Sequence, residues 1–362
     1  MILKFFYSLV GILTVVCPLL ATSPAQALED SSGIIPKSLS LKGSMDVYYQ
    51  YDFLKNAANS FTSFTRSHNS FELGMASLAV GHETGKVSML ADLGFGKRVE
   101  EFSYNDQNTR FAIKQLLVKY ALTDNFSLTA GSWTTHVGFE LLDAYLNRNY
   151  SMSYLFSYGP FFHTGIKVDL SLGNSGFMLG IADPTDLKSA TIPNKFIIGQ
   201  YSFTSPSEKF HGYLNIQAGK PDDDHAIAQA DLVITQSLTD KLTLGVNASL
   251  MNIKEKNESS NTSNSHWYGA ALYLQGDFSE KTGFSVRSEL FNDPDQLNVF
   301  SNVASGGRVW ANTVSFNYKV DNFILIPELR FENASESLFG NAEGVSKNST
   351  ARFTIAAIYH FE

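Results

Sequence analysis

The chain closes on a side-chain ladder of period two. Within Ser349–Glu362, Phe353, Ile355, Ala357, Tyr359 and Phe361 alternate with Arg352, Thr354, Ala356, Ile358 and His360. Successive side chains of a strand point to opposite faces, so this segment is a strand with one aromatic, apolar face. The closing strand of a membrane barrel needs that pattern. One face meets lipid, the other meets the lumen, and rings sit at the membrane interface. Most such barrels end on the aromatic itself; here Glu362 follows Phe361.

The front of the chain points to the same location. Residues 1–27 carry one positive charge (Lys4), an apolar stretch from Phe5 to Ala21, and then Ala25-Gln26-Ala27. That is the layout of a cleaved secretory signal peptide, leaving 28–362 as a single domain. Pro18 interrupts the apolar stretch and acidic Glu29 and Asp30 follow it, which disfavours a retained anchor. Cys17 is a poor lipidation site, because Val16 precedes it where a small residue is needed. It is also the only cysteine, so a mature chain forms no disulfide.

The formal charge is −8. Nucleic-acid binding depends on Lys and Arg meeting phosphates, so the acidic balance argues against a nucleic-acid partner. Hydrophobic content of 44% and mean hydropathy of −0.08 would suit a soluble protein. No run after residue 27 approaches the roughly 20 apolar residues of a spanning helix. A barrel accounts for this average look, because lipid-facing and water-facing residues alternate and cancel in any window.

Turn signals divide the chain into sixteen expected strands. They fall near 39–53, 70–83, 86–97, 110–122, 125–134, 161–172, 176–183 and 194–204, then 208–219, 227–238, 241–254, 266–278, 282–292, 308–320, 322–332 and 350–361. Tight turns such as Glu83-Thr84-Gly85-Lys86, Thr123-Asp124-Asn125, Gly173-Asn174-Ser175 and Asp321-Asn322 use residues that accept turn geometry. Between them lie longer polar segments: 54–69, 98–109, 135–160, 184–193, 220–226, 255–265, 293–307 and 333–349. Short turns alternating with long loops are the rhythm of periplasmic hairpins and external loops. The expected fold is all-β: a transmembrane antiparallel up-and-down barrel of about 16 strands, with both termini on the periplasmic side. A soluble β-sandwich or solenoid would lack this rhythm.

Parity assigns the faces. Leu41, Met45, Val47, Tyr49 and Tyr51 oppose Lys42, Asp46, Gln50 and Asp52; Phe284, Val286 and Leu290 oppose Arg287 and Glu289. Trp310, Val314, Phe316 and Tyr318 oppose Thr313, Ser315, Asn317 and Lys319; Phe323, Leu325, Leu329 and Phe331 oppose Glu328, Arg330 and Glu332. A basic side chain on the lipid face at mid-bilayer costs roughly 2–4 kcal/mol, so the polar sets face inward. Lys114 breaks the rule, sharing the parity of Leu116 and Val118, and requires a bulge or an interfacial position.

Residues 69–172 resemble the OmpL-like outer-membrane porins, also called β-barrel porin 2. The resemblance is carried by Asn69-Ser70-Phe71-Glu72-Leu73-Gly74-Met75-Ala76, Asp92-Leu93-Gly94-Phe95-Gly96 and Val118-Lys119-Tyr120. More specific are Thr135-His136-Val137-Gly138-Phe139-Glu140, the run from Asn149 to Pro160, and Phe162-His163-Thr164-Gly165. It implies a porin-like barrel and names no substrate. Ser88 stands where that family typically has a basic or polar residue after its Gly-Lys hairpin.

The segment 135–160 stands out for function. It carries His136, Glu140, Asp143 and Arg148 with Phe139, Tyr145, Tyr150, Tyr154, Phe156 and Tyr158. Exposing that much apolar surface is costly at about 25 cal/mol per Å². Two placements remain open: folded into the lumen as a constriction, or packed over the rim. In the first, its charges face wall residues such as Arg287, Glu289, Glu328 and Arg330 and set a transverse field. Lys42, Asp46, Asp92, Lys167 and Asp169 complete the candidate pore lining.

Chemistry is poorly signalled. His136 and Glu140 are four apart, but no His-Glu-x-x-His motif or Cys ligand accompanies them. No Gly-x-Ser-x-Gly elbow is present. Asp222-Asp223-Asp224-His225 reads as a solvated acidic turn, with a divalent ion or a lipopolysaccharide bridge as the rival. Asn257-Glu258-Ser259 and Asn261-Thr262-Ser263 match glycosylation acceptors by accident in a bacterium. The expected protein is a passive, general or weakly selective outer-membrane diffusion channel with no cofactor and no metal. It sits in lipid and lipopolysaccharide, passes small hydrophilic solutes or ions, and has scope to form a homo-oligomer. The rivals are a barrel enzyme of lipase or protease type and a surface-binding barrel with a blocked lumen.

Overall fold

The computed structural model describes residues 38–256 and 262–362. The expected signal peptide, Asn257-Glu258-Ser259 and Asn261 lie outside them. Sixteen strands form one closed sheet. In chain order the first eight are β1 (Leu39–Asp52), β2 (Ser70–Thr84), β3 (Val87–Phe95), β4 (Ile113–Thr123), β5 (Phe126–Thr134), β6 (Phe162–Leu172), β7 (Ser175–Ala182) and β8 (Phe196–Thr204). Then follow β9 (Phe210–Gly219), β10 (His225–Thr239), β11 (Leu242–Lys256), β12 (Thr262–Asp277), β13 (Thr282–Asp293), β14 (Gly307–Val320), β15 (Phe323–Ala334) and β16 (Ser349–Phe361).

Each strand pairs antiparallel with its chain neighbours, and β16 closes on β1, with Gly43 opposite Phe361 and Asp52 opposite Arg352. Every expected strand has its counterpart. The largest differences lie in β10 to β12, which run 15, 15 and 16 residues and shorten the loops between them. A tilted strand crosses a bilayer in roughly 9–11 residues, so these hairpins continue past the hydrocarbon.

The faces follow parity. Met45 and Val47 are exposed towards lipid while Asp46 and Gln50 are buried inside, and on β14 Trp310 and Val314 point out while Thr313 and Ser315 point in. Two bulges turn extra residues inward. On β4, Gln115 pairs with Asp92 and Ile113 with Leu93, leaving Lys114 between them without a partner in the ladder. A bulge bends its strand and re-aims a side chain, which carries Lys114 from lipid parity into the lumen, where it is buried. On β2, Gly74 is the extra residue, because Val47 pairs with Leu73 and Asp46 with Met75.

The long loops supply the remaining core. A short helix, α1 (Lys97–Phe102), follows β3, and a single turn, α2 (Tyr154–Ser157), sits in the segment between β5 and β6. Ser153 caps α2, its hydroxyl accepting from the Phe156 N–H at 3.1 Å. Phe64, Val99, Phe102, Phe156, Phe161 and Phe162 form one apolar cluster, and Tyr154 and Leu155 enter a second with Trp267, Phe291 and Phe300. Tyr150, Tyr154 and Phe156 are thus shielded from water by other loops and by the inner wall, while Phe139, Tyr145 and Tyr158 are half-buried.

Candidate functional site

The segment from Thr135 to Pro160 is bonded along most of its length to inward-facing strand residues. Arg148 meets Asp277 of β12 through two contacts of 2.7 Å. Asn149 donates to Ser315 on β14 at 2.7 Å and accepts from Ser285 on β13 at 2.8 Å. Glu328 takes the backbone N–H groups of Tyr150 and Ser151 at 2.8 and 3.1 Å. Glu289 takes those of Tyr154 and Leu155 at 2.9 and 2.8 Å. Arg287 pairs with Glu140 and donates to the Ser151 carbonyl at 2.7 Å, and Arg330 donates to the Met152 carbonyl at 2.7 Å. Loop backbone cannot be buried without partners; here the wall carboxylates accept its N–H groups and the wall guanidinium groups satisfy its carbonyls.

This arrangement corrects one expectation. Arg287, Glu289, Glu328 and Arg330 are between 0% and 2% exposed, so they do not face the loop across water. They lie beneath the loop and hold it. Two partners absent from the expected set join them: Glu332 accepts from the Tyr154 hydroxyl at 2.7 Å, and Arg352 of β16 pairs with Glu332. Alternation places both on the inward face without marking them as pore lining.

The other predicted residues separate into local pairs. Asp46 accepts from the Tyr150 hydroxyl at 2.6 Å. Lys114 bridges Asp92 at 3.1 Å and Asp143 of the loop at 2.6 Å. Lys167 pairs with Asp169 at 3.1 Å, and Lys42 with Glu362 at 3.5 Å near the strand ends. His136 donates from Nε2 to the Ile216 carbonyl at 3.2 Å, and its ring lies tilted against that of His163, centres 5.1 Å apart. Arg98 of α1, which no pattern singled out, is buried with its guanidinium 5.0 Å from the rings of both Phe64 and Tyr150. Its loop position carried no periodic signal.

Opposite the anchored side a cavity of about 560 Å³ remains, within the roughly 300–1,000 Å³ of small-molecule sites. Loop residues from Thr135 to Asn149 bound it on one side, and Gln200, His211, Tyr213, Asn215, Thr235, Tyr273 and Gln275 of β8 to β12 on the other. Phe139 stacks on Tyr273, ring centres 4.0 Å apart.

A family model described as "Putative beta-barrel porin-2, OmpL-like" matches residues 38–361, which include every strand of the barrel. The chain belongs to this family. It is therefore an outer-membrane porin, a multi-pass β-barrel of the bacterial outer membrane that serves as a diffusion channel. No curated protein matches the sequence. Among solved structures, OmpT of Vibrio cholerae in its trimer form is 9% identical with a TM-score of 0.60, over 89% of this chain and 99% of that one. The outer-membrane channel DcaP of Acinetobacter baumannii is 12% identical with a TM-score of 0.59, over 89% and 97%. An anion-selective porin from Comamonas acidovorans is 10% identical with a TM-score of 0.58, over 90% and 99%. At such identities the likeness is one of fold.

Proposed function

We propose that this porin passes small hydrophilic solutes passively between the anchored segment 135–160 and the β8–β12 wall, the segment acting as the constriction. The observation that carries the reading is the asymmetric seating of the segment. From Glu140 onward it is bonded mainly to β12 through β15, while only its first residues, His136 and Gly138, touch β8 to β10, and the cavity lies between it and the β8–β12 wall. The work is done by wall and loop without a reaction centre, cofactor or metal. Lipid and lipopolysaccharide surround the barrel, and copies of the chain associate as a homo-oligomer, as the OmpT solved in a trimer form does. The test is reconstitution into planar bilayers from detergent. Stepwise conductance increments in salt are expected. A folded barrel that never conducts would favour the blocked, surface-binding alternative.

A further inference from the structure

We infer that the pore selects for neutral, hydroxyl-rich solutes of sugar-like chemistry over ions of the same size. The inference rests on the channel reading above. It comes from how charge is divided around the inner wall. The half formed by β13, β15, β16 and β1 carries Arg287, Glu289, Glu328, Arg330, Arg352 and Asp46, all buried under loops. The half formed by β8 to β12 faces the cavity with Gln200, Tyr213, Asn215, Thr235, Tyr273 and Gln275.

The full charges that reach the cavity are already matched. Glu140 is held by Arg287, and Arg148 by both carboxylate oxygens of Asp277. Asp231, on the inner face of β10, is covered and 2% exposed, taking hydrogen bonds from Asn215 at 2.9 Å, Asn247 at 2.7 Å and the Gly138 N–H at 3.0 Å. A passing ion that sheds water here meets no opposite charge free to replace it, and shedding water without replacement is costly. A neutral polyol loses less and is offered more. The Tyr213 hydroxyl, the Thr235 hydroxyl and the Gln275 amide make no side-chain hydrogen bond among the described residues and line the cavity. The half-buried Phe139 ring, backed by the buried Tyr273 on which it stacks, adds an apolar face for the C–H side of a sugar ring.

The test compares glucose, gluconate and protonated glucosamine, three solutes of one size and three charges, in swelling of liposomes containing the full-length mature porin. Reversal potentials in a potassium chloride gradient are read alongside. Glucose should enter fastest and the reversal potential should lie near zero. The isosteric triple variant Tyr213→Phe, Thr235→Val, Gln275→Leu should still run as a folded barrel on gels. Its glucose rate should fall by about two- to tenfold for each hydrogen bond lost in transit. Gluconate or glucosamine outrunning glucose, or an unchanged glucose rate in the folded variant, overturns the inference while leaving the channel intact. No swelling and no conductance overturns the channel reading itself, and the inference with it.

Discussion

A Cβ placed on Gly74 would lie 1.7 Å from Asp46 Oδ2 and 2.9 Å from the Tyr150 hydroxyl oxygen. The bulge on β2 therefore needs glycine so that the Asp46 carboxylate can occupy that space and reach Tyr150. Gly74→Ala should displace Asp46 and cost about 1–3 kcal/mol, the usual penalty of overpacking. The check is a lower temperature of the gel-mobility shift that marks barrel unfolding in detergent; an unchanged temperature would show that the carboxylate relocates freely. Arg287 poses the complementary case. Removing one partner of a buried ion pair leaves an uncompensated charge, at about 3–5 kcal/mol. Arg287→Met should therefore lose more stability than the double variant with Glu140→Gln, and equal losses in the two would argue against direct coupling. At Arg148 the pairing with Asp277 bears on permeation. Arg148→Glu would set two carboxylates side by side, and local charge dominates within roughly 10 Å at 0.1 M salt. The reversal potential should move towards cation preference.

At the scale of elements, the anchored segment and its neighbours make separate predictions. Deleting residues 142–149 removes Leu146 to Asn149 from the cavity boundary while leaving the Glu289 and Glu328 contacts to Tyr150, Ser151, Tyr154 and Leu155 in place. Single-channel conductance should rise with the barrel still folded. Unchanged conductance would place the constriction on another loop. The C-terminal end of the same segment is held by Asp186 in the loop after β7, whose carboxylate accepts from the N–H groups of Phe161 and Phe162 at 2.7 and 3.0 Å. Burial pushes that carboxyl up to about 7, against the pull of those two N–H groups. A raised carboxyl means that the folded state binds its proton more tightly than the unfolded chain does. Its stabilising effect is full below the ordinary value of 3.8 and is lost as pH rises through about 7. Between pH 5 and 8 the native barrel should lose more stability than Asp186→Asn does, measured as the difference between the two pH profiles of thermal unfolding. Parallel profiles would contradict it.

At the scale of the whole molecule, closure governs behaviour. Strand β16 pairs with both β15 and β1, so no edge is left from which the sheet can fray. In detergent the protein should migrate at different apparent sizes before and after boiling, with strong β-structure by circular dichroism until then. Identical migration with little β-signal would speak against a closed barrel. Side-chain contacts on the inner wall reinforce the seam between neighbouring strands: Arg330 and Arg352, on β15 and β16, converge on Glu332 of β15, and Thr350 of β16 donates to Asp52 of β1 at 3.1 Å. The Thr350–Asp52 contact joins parts of the chain that meet only after the barrel has closed.

Alternation and turn chemistry act between neighbours in the chain, which is why the strands, their faces and the rhythm of short turns and long loops were legible in residues read one after another. The Phe353-to-Phe361 ladder and the Asp46/Met45 opposition needed nothing beyond the period of a strand and the cost of polarity in lipid. The conflict at Lys114 was visible too, although its resolution was not. Whether β4 bulges there depends on the register with β3 and on the carboxylates of Asp92 and Asp143 waiting inside. The tertiary structure alone decided which half of the wall the 135–160 segment lies against. That choice rests on contacts such as Tyr150 to Glu328 and Leu155 to Glu289, between residues more than a hundred positions apart. The hydrogen-bonding needs of a buried loop backbone select its partners only once the barrel brings them within reach.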